Sequence, residues 1–444
     1  MLFVVLISAA ASAGAQSFQQ GFFLEGYKMA YRYNPAIQNE DGFLSVGQFE
    51  SRLRNNVGAS SFLYNRNGEV VTAFNSGVSA TEFLGSLKDD NFFTGDINYN
   101  LVSYGWRSGA AYHTLEANVR GHAGASVPKE IFEIIKKGTG EASYDLGGMR
   151  IFGNIYAELA YGYSHKLSDM VSIGARAKLL LGLYSVDYNV TRFDMELNED
   201  EYRANIEADL DLTSRYRKMK TDENGYYKLK GLSSKDKWKL PSAAGLAIDL
   251  GVLVKPVEGL ELSASILDLG GMLWYYGNAG KSQGTVSFAG VTDLTIEQIK
   301  AKDFGDEFQE VKDEFIKTMT LRPVDKKVKL SAVPFTVNLG VKYAMPFYSP
   351  LSAGVTGTFI CQNGMAYNEG LAAVAWNPSG NLGVTANVGA GTYGMVYGFG
   401  LNAAYRNFRL TVGYGNGTGG RIPYKKTPLK PNFKAVTLGL TYDL

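Results

Sequence analysis

The last twelve residues of the chain, 433–444, alternate between two kinds of side chain. Val436, Leu438, Leu440, Tyr442 and Leu444 fall on one face of an extended strand, and the other face carries small, polar or charged residues. Successive side chains of a strand point to opposite sides, so one face is apolar over about ten residues. Such a strand suits a wall with lipid outside and water inside. It predicts an all-β fold, a transmembrane antiparallel β-barrel.

The same alternation recurs in the segments 111–120, 171–179, 244–255, 336–343 and 382–388. Charges lie on one face only, and that face is rich in Gly and Ser. A soluble β-sandwich also alternates, but its outward faces carry most of its charge and its strands seldom exceed about ten residues. Composition agrees with many strands, since 52 glycines, 28 tyrosines and 24 phenylalanines stand beside only 12 prolines.

Connection lengths predict how many strands the barrel has. Six short links fall at 106–109, 165–169, 256–259, 345–350, 377–381 and 406–407. Longer links separate them, at 65–90, 122–148, 190–240, 276–328, 362–366, 391–395 and 417–432. Outer-membrane barrels alternate short periplasmic turns with longer extracellular loops, so seven hairpins and about 14 strands are expected, with both ends periplasmic. The first hairpin is the least defined, because residues 43–76 have room for more than one strand.

Two of the longer links have a helical period. Residues 128–137 begin with a proline, place isoleucines on one stripe and precede Gly138, which predicts a helix. Residues 303–319 place apolar side chains at steps of four, three and four, which predicts a second, amphipathic helix. We expect both helices at the extracellular rim.

The N-terminus has the pattern of a secretory signal. An apolar run at 2–11 is followed by small residues at 12–15 with an Ala-x-Ala site, although no basic residue precedes the run. We therefore expect a signal peptide at 1–15, a hatch or plug segment at 16–42 and the barrel at 43–444. No segment after residue 16 approaches the 18 consecutive apolar residues of a membrane-spanning helix. The expected location is the outer membrane of a Gram-negative bacterium.

Several function classes find no support in the sequence. The chain has 44 Lys and Arg against 43 Asp and Glu, and a net charge of +1 offers no field that attracts nucleic acid. Cys361 is the single cysteine, which excludes an intrachain disulfide and a zinc site built on cysteines. His113, His122 and His165 fall on different strands or turns without a nucleophile and base pattern. We expect no enzyme, no cofactor and no metal site.

Four segments resemble a known group of barrels. Asn34-Pro35-Ala36 before the first strand, together with 127–138, 162–168 and 265–274, resembles the FadL-like outer-membrane barrels, and the resemblance is closest to an uncharacterised, domain-of-unknown-function branch. The superfamily includes long-chain fatty-acid transporters and the shuttle barrels of type IX secretion. The resemblance implies a 14-stranded barrel with the N-terminal segment as a short hatch in the lumen, and a break in the wall through which a hydrophobic ligand leaves sideways.

The hatch and the wall supply the first candidate site residues. In the hatch they are Phe22, Phe23, Tyr27, Tyr31, Asn34, Pro35 and Ala36. These side chains either line a pocket for a hydrophobic ligand or pack as a lid without one. In the wall, Asp268, Gly270 and Gly271 interrupt an apolar strand and mark either a lateral gap or a plain bulge.

Charges expected to face the lumen form the second set. They are Glu116, Arg120, Glu158, Arg176, Lys178, Asp249, Lys255 and Lys342. They either define an ion path or cross-link the inside of a plugged barrel.

These observations leave three functions. The leading hypothesis is a FadL-like transporter of hydrophobic small molecules through a hatch-occluded lumen. The alternative is a scaffold whose loops at 190–240 and 276–328 hold a surface or secretion partner, and the third is an open porin. Expected partners are outer-membrane lipid and lipopolysaccharide, the barrel-assembly machinery, a hydrophobic ligand and a surface protein. The basic stretch at 215–239 would contact the phosphates of lipopolysaccharide.

Overall fold

Fourteen antiparallel strands form one closed barrel in the computed structural model of the protein. The structure describes residues 21–57, 61–137, 143–197, 202–213, 219–227, 241–275, 278–288, 320–325, 328–362, 365–392, 394–417 and 433–444. The predicted signal peptide at 1–15 lies outside these residues.

The wall strands are named β1–β14 in chain order. They are β1 Phe43–Asn55, β2 Asp90–Ser108, β3 Ala111–Pro128, β4 Arg150–Lys166, β5 Val171–Leu197, β6 Ala243–Val254, β7 Leu260–Tyr275, β8 Phe335–Ala344, β9 Leu351–Gln362, β10 Met365–Ser379, β11 Leu382–Gly391, β12 Gly394–Tyr405, β13 Phe408–Gly417 and β14 Phe433–Asp443. Each strand pairs with the next, and β1 pairs with β14 from Phe43↔Asp443 to Arg54↔Phe433. The prediction of 14 strands is confirmed.

The outer surface of the wall is apolar, as the alternation predicts. Exposed aliphatic side chains include Leu115, Leu159, Leu246, Leu339, Val355, Val374 and Leu438. Exposed aromatic side chains gather near the short turns, among them Tyr104, Tyr163, Tyr343, Tyr348, Trp376, Tyr405 and Tyr442. An apolar band bordered by aromatic residues is the lipid-facing surface of a transmembrane barrel.

Six hairpins are joined by turns of two to six residues at one end of the barrel, where the short links are predicted. β1 begins and β14 ends at this same end. At the other end two strands are longer than expected. β3 continues to Pro128 because its ladder with β2 continues to Asp90↔Pro128, so the predicted loop start at 122 is wrong. β5 continues to Leu197 because it pairs with a further strand, Tyr202–Thr213.

The long-loop end carries additional elements. Strands Asn278–Phe288 and Arg322–Pro323 extend the sheet beyond Tyr202–Thr213, Ser143–Asp145 pairs with β5, and Val328–Ala332 pairs with β7. The connection from β1 to β2 holds a small hairpin, Leu63–Arg66 and Glu69–Thr72, which accounts for the extra room in the first hairpin.

Two α-helices cap this end, α1 at Ala80–Gly85 and α2 at Lys129–Lys137. The rings of Phe62, Phe83 and Phe132 pack α2 against the first loop, with centres 5.6 to 6.2 Å apart. Helix α2 is the helix predicted at 128–137, whereas the one predicted at 303–319 lies outside the described residues. None of the helices in the described part of the chain is long and apolar enough to cross a membrane.

Candidate functional site

Residues 21–42, which we call the plug, lie inside the barrel near the short turns. The plug makes one turn of 3-10 helix at Ala30–Arg32. Phe22 stacks on Tyr33 with ring centres 5.3 Å apart, and Phe23 meets Phe22 edge to face at 5.2 Å. The wall side chains of this cluster are Leu253, Ala373 and Ala375.

The tyrosines of the plug have defined polar partners. Nε2 of Gln48 donates to the Tyr27 hydroxyl at 2.9 Å, and the Tyr31 hydroxyl donates to the sulfur of Met29 at 3.2 Å. Burial raises the pKa of the Tyr33 phenol well above its ordinary value. Its hydroxyl therefore stays protonated and donates to a wall carbonyl, that of Leu339, at 2.9 Å. These aromatic side chains hold the plug against the wall.

The Asn-Pro-Ala segment fastens the plug to β6 and β7. Nδ2 of Asn34 donates to the Ser263 hydroxyl at 2.7 Å and to the Val252 carbonyl at 2.8 Å. Oδ1 of Asn34 accepts from the Ala36 amide at 2.9 Å. The side chain of Asn34 is fully buried, and both its amide nitrogen and its amide oxygen are hydrogen-bonded.

A notch in the wall receives this segment. Gly174 of β5 and Gly251 of β6 are paired across the sheet, so no side chain fills the space between wall and plug. A Cβ on Gly251 would lie 2.0 Å from Oδ1 of Asn34, and a Cβ on Gly174 would lie 2.2 Å from the carbonyl oxygen of Pro35. Glycine is required at both positions by this close approach.

Arg32 carries the positive charge of the plug into the middle of the lumen. Its guanidinium lies 3.4 Å from Oε1 of Glu50 and 3.2 Å from Oε2 of Glu116, and it donates to Oδ1 of Asn118 at 3.1 Å. Glu50 is on β1 and Glu116 is on β3. One side chain therefore ties the plug to two strands of the wall.

The ion pairs continue across the lumen from Glu116. Arg176 lies 3.0 Å from Glu116 and 3.0 Å from Asp249. Lys178 lies 2.7 Å from Asp249 and 2.5 Å from Asp268. The four wall strands β3, β5, β6 and β7 are thus joined through their inner faces.

Arg120 completes this set of ion pairs, which we call the lumen network. Its guanidinium binds both carboxylate oxygens of Asp268, at 2.7 and 2.9 Å, and Oε2 of Glu158 at 2.9 Å. Six of the eight predicted lumen charges belong to the network, namely Glu116, Arg120, Glu158, Arg176, Lys178 and Asp249. These six side chains are paired across the lumen and cross-link the wall.

Lys255 and Lys342 are the two predicted charges that lie elsewhere. Both pair with Glu261, at 2.7 and 2.9 Å. They line a cavity of about 780 Å³ between the plug and the short turns, which Phe22, Tyr27 and Ala36 also border. Its walls are largely polar and charged.

A second polar group lies on the long-loop side of the network. Nδ1 of His122 is 2.8 Å from Oδ1 of Asp96, and its Nε2 is 3.2 Å from the Tyr156 hydroxyl. Arg54 also pairs with Asp96, and Nε2 of Gln362 donates to it at 3.0 Å. The sequence analysis did not single out this group or Glu50 as lumen-facing. A signal was present, because Glu50, Arg52 and Arg54 occupy every second position of β1, as residues that face the lumen do.

The wall is irregular at Asp268 of β7. Asp268 has a φ of 62°, and the ladder with β6 shifts register between Ile248 and Leu250, which is a β-bulge. Oδ1 of Asp249 accepts from the Asp268 amide at 2.7 Å. The bulge turns the Asp268 carboxylate into the lumen, where it joins the network.

The other edge of β7 changes partner at the same level. β7 pairs with β8 up to Leu267↔Thr336 and with Val328–Ala332 from Gly271 onward. Between these ladders the amide of Val333 donates to the Gly270 carbonyl at 3.2 Å, and the next residue, Pro334, has no N–H to donate. We call this stretch the wall interruption.

Comparisons with known proteins give one family and a set of solved structures. A model described as a family of unknown function, DUF5723, matches residues 35–415. No curated protein matches the sequence. The match agrees with the predicted uncharacterised branch.

The solved structures similar to the chain include two toluene transporters and a FadL homologue. The toluene transporter TodX of Pseudomonas putida is 9% identical, with 94% of each chain covered and a TM-score of 0.44. The toluene transporter TbuX of Ralstonia pickettii is 8% identical, with 94% of this chain and 92% of that one covered and a TM-score of 0.43. A FadL homologue of Pseudomonas aeruginosa is 12% identical, with 95% of each chain covered and a TM-score of 0.43.

Filling the notch should release the plug from an intact barrel. Gly251→Val would displace Asn34, whose two Nδ2–H groups are shared among Val252, Ser263 and Ala264 of the wall, and the loss is about 1 kcal/mol for each N–H. We expect the displaced population to rise roughly 30-fold, measured as faster proteolytic cleavage within 21–42 while the barrel keeps its heat-modifiable gel mobility. The control is Gly357→Val, because a Cβ there meets open space. Equal cleavage rates in the two variants would contradict the notch.

Removing Arg32 should destabilise the protein through the carboxylates it leaves behind. Arg32→Gln leaves Glu50 with only Gln48 and Asn98 as partners, and breaking a buried pair costs about 3–5 kcal/mol. Adding Glu50→Gln should recover part of this loss, measured by urea unfolding in detergent. Arg66→Gln, which breaks an exposed pair with Glu82, should cost less than about 1 kcal/mol. A double variant no more stable than Arg32→Gln would count against the assigned pairing.

Proposed function

We propose that this chain, which belongs to the DUF5723 family of unknown function, is an outer-membrane transporter that passes hydrophobic small molecules sideways through its wall. The molecule would enter from the long-loop end, meet the closed lumen and leave at the wall interruption. No covalent step is involved, and binding and diffusion drive the transfer.

One observation carries this proposal: a packed apolar cluster inside the barrel extends to the wall interruption. The cluster is formed by Tyr156, Leu180, Ala243, Ala247, Met272, Trp274 and Val333, all of them buried. Val333 belongs to both features, since its side chain packs in this cluster and its amide makes the hydrogen bond within the interruption. The indole N–H of Trp274 donates to the Ser331 hydroxyl at 2.9 Å, which satisfies its polar edge.

A straight route through the barrel is unfavourable for an apolar solute. The solute would have to separate the ion pairs of the lumen network, whose side chains would then be buried without partners. It would also have to displace the plug. A lateral exit avoids both costs, because the wall there has lost part of its hydrogen bonding and lipid lies directly outside.

Locking the interruption should block transport reversibly. The ladder places Leu267 of β7 opposite Thr336 of β8 at the edge of the interruption, so the double variant Leu267→Cys/Thr336→Cys, made with Cys361→Ala, should form a disulfide on oxidation. We expect cellular uptake of radiolabelled toluene and oleate to fall at least about tenfold and to recover on reduction, since the exit is then the rate-limiting barrier.

The matched control is the Cys361→Ala protein treated identically. If the disulfide does not form, Pro334→Val provides a second test, because it restores the missing N–H and should slow uptake. The control for this variant is Pro256→Ala in a short turn. Uptake that is indifferent to both the disulfide and Pro334→Val would refute the lateral route.

Deleting residues 21–42 should convert a closed barrel into a conducting one. The plug fills the lumen on the side of the short turns, and its removal takes Arg32 out of the network. We expect the full-length protein to be silent in planar bilayers and the deletion variant to conduct ions in discrete steps. Steady conductance by the full-length protein would instead favour the open porin.

A scaffold is the second candidate, favoured by the sheet beyond the barrel. β5 is 27 residues long, whereas about ten residues span a membrane. Its outer part pairs with Tyr202–Thr213, which pairs in turn with Asn278–Phe288. Such a projection offers a surface to a protein partner. The scaffold hypothesis makes a different prediction from the transporter hypothesis. Cells with the protein should take up no more toluene or oleate than cells without it.

A further inference from the structure

Two small chambers lie in the lumen on the long-loop side of Arg32. Their volumes are about 80 and 60 Å³, which exceeds the roughly 10–15 Å³ that holds one water molecule. Arg52, Asn98, Arg120 and Thr336 line both of them. They are neighbouring parts of one polar space that the wall and the lumen network border and that is partly open.

Arg52 faces this space without a partner. Its guanidinium makes no hydrogen bond and no ion pair within 4.0 Å to any residue that the structure describes, and the carboxylates of Asp96, Glu369 and Glu50 act on it from farther away. A guanidinium has five N–H groups, and those of Arg52 are open to this space. A bound anion would accept charged hydrogen bonds from them.

The charges lining the chambers distinguish Arg52 from the other cations. Five other cations line them, and each lies within 4.0 Å of a carboxylate: Arg32, Arg54, Arg120, Arg176 and Lys178. Five carboxylates line them, namely Glu50, Asp96, Glu116, Glu158 and Asp268. Asp249 lies behind Arg176 and Lys178 and does not line the space. Arg52 is therefore the one lining cation that has no carboxylate within 4.0 Å in the described part of the chain.

Asn98 adds a second requirement for the ligand. Its Nδ2 donates to Oε2 of Glu50 at 3.3 Å, which directs Oδ1 away from Glu50, and Oδ1 is buried without a hydrogen-bond donor. A ligand that satisfies both residues presents an anionic oxygen to Arg52 and a hydroxyl to Asn98. A phosphate group that keeps one proton has both, whereas a sulfate has no proton to donate near neutral pH.

We propose that this space binds a phosphate group, with Arg52 as the cation and Asn98 as the acceptor. The phosphate is either free inorganic phosphate or the head of a phosphomonoester amphiphile. The inference is independent of the proposed transport, because binding is measured on the purified barrel without any flux.

The test is isothermal titration calorimetry of the full-length barrel in a nonionic detergent at pH 6.5. The probes are inorganic phosphate and dodecyl phosphate, with sulfate and dodecyl sulfate as matched anions. We expect one phosphate probe or both to bind at one site, and Arg52→Gln to weaken binding about 10- to 100-fold, the loss expected for charged hydrogen bonds. Arg406→Gln, in an exposed short turn, removes the same charge and should leave affinity unchanged.

Two further variants keep the proposal testable if Arg52→Gln does not fold. Arg52→Lys should retain part of the affinity, and Asn98→Asp should abolish binding because the new carboxylate pairs with Arg52 and repels the anion. Binding of inorganic phosphate would assign a free ion, and binding of dodecyl phosphate alone would assign an amphiphile. Sulfate probes binding as tightly as phosphate probes, or phosphate affinity unaffected by the Arg52 and Asn98 variants, would overturn the proposal.

Discussion

The contact between Arg32 and the carboxylates of Glu50 and Glu116 is the interaction on which the position of the plug in the barrel depends. A buried guanidinium is stable only while its partners surround it, and the partners are equally costly to leave alone. Because Arg32 lies on the plug and the carboxylates lie on the wall, these ion pairs form only when the plug is in place. The plug is therefore part of the folded barrel, in the sense that its removal leaves two buried carboxylates with one cation fewer.

Glycines in the wall make room for the plug. Gly174 and Gly251 open the notch for Asn34 and Pro35, and Gly340 leaves room for the rings of Phe22 and Tyr33. The bulge at Asp268 has two consequences. It brings a carboxylate to Arg120 and Lys178, and it lies at the level where β7 changes its pairing partner. The lumen network and the change of pairing partner in the wall thus meet at the same residue.

The sequence was sufficient to predict the number of strands, the six short turns and helix α2, because alternation and turn residues are local signals. Six members of the lumen network are among the charges predicted to face the lumen, and that prediction used alternation alone. Which charges pair depends on the register between strands far apart in sequence, so Arg32 with Glu116 could not be foreseen. Asp268 was recognised only as a break, because its positive φ removes it from the alternation that marks lumen-facing residues.

Native-state hydrogen exchange measured by mass spectrometry tests most directly whether the plug is an integral part of the barrel. The amides of Tyr33, Asn34 and Ile37 are hydrogen-bonded within the plug, and that of Ala36 is bonded to the Asn34 side chain. A peptide covering 30–37 should therefore exchange as slowly as a peptide from the middle of β3 in the folded protein. Exchange of that peptide at the rate of an unfolded chain, with β3 still protected, would contradict the account.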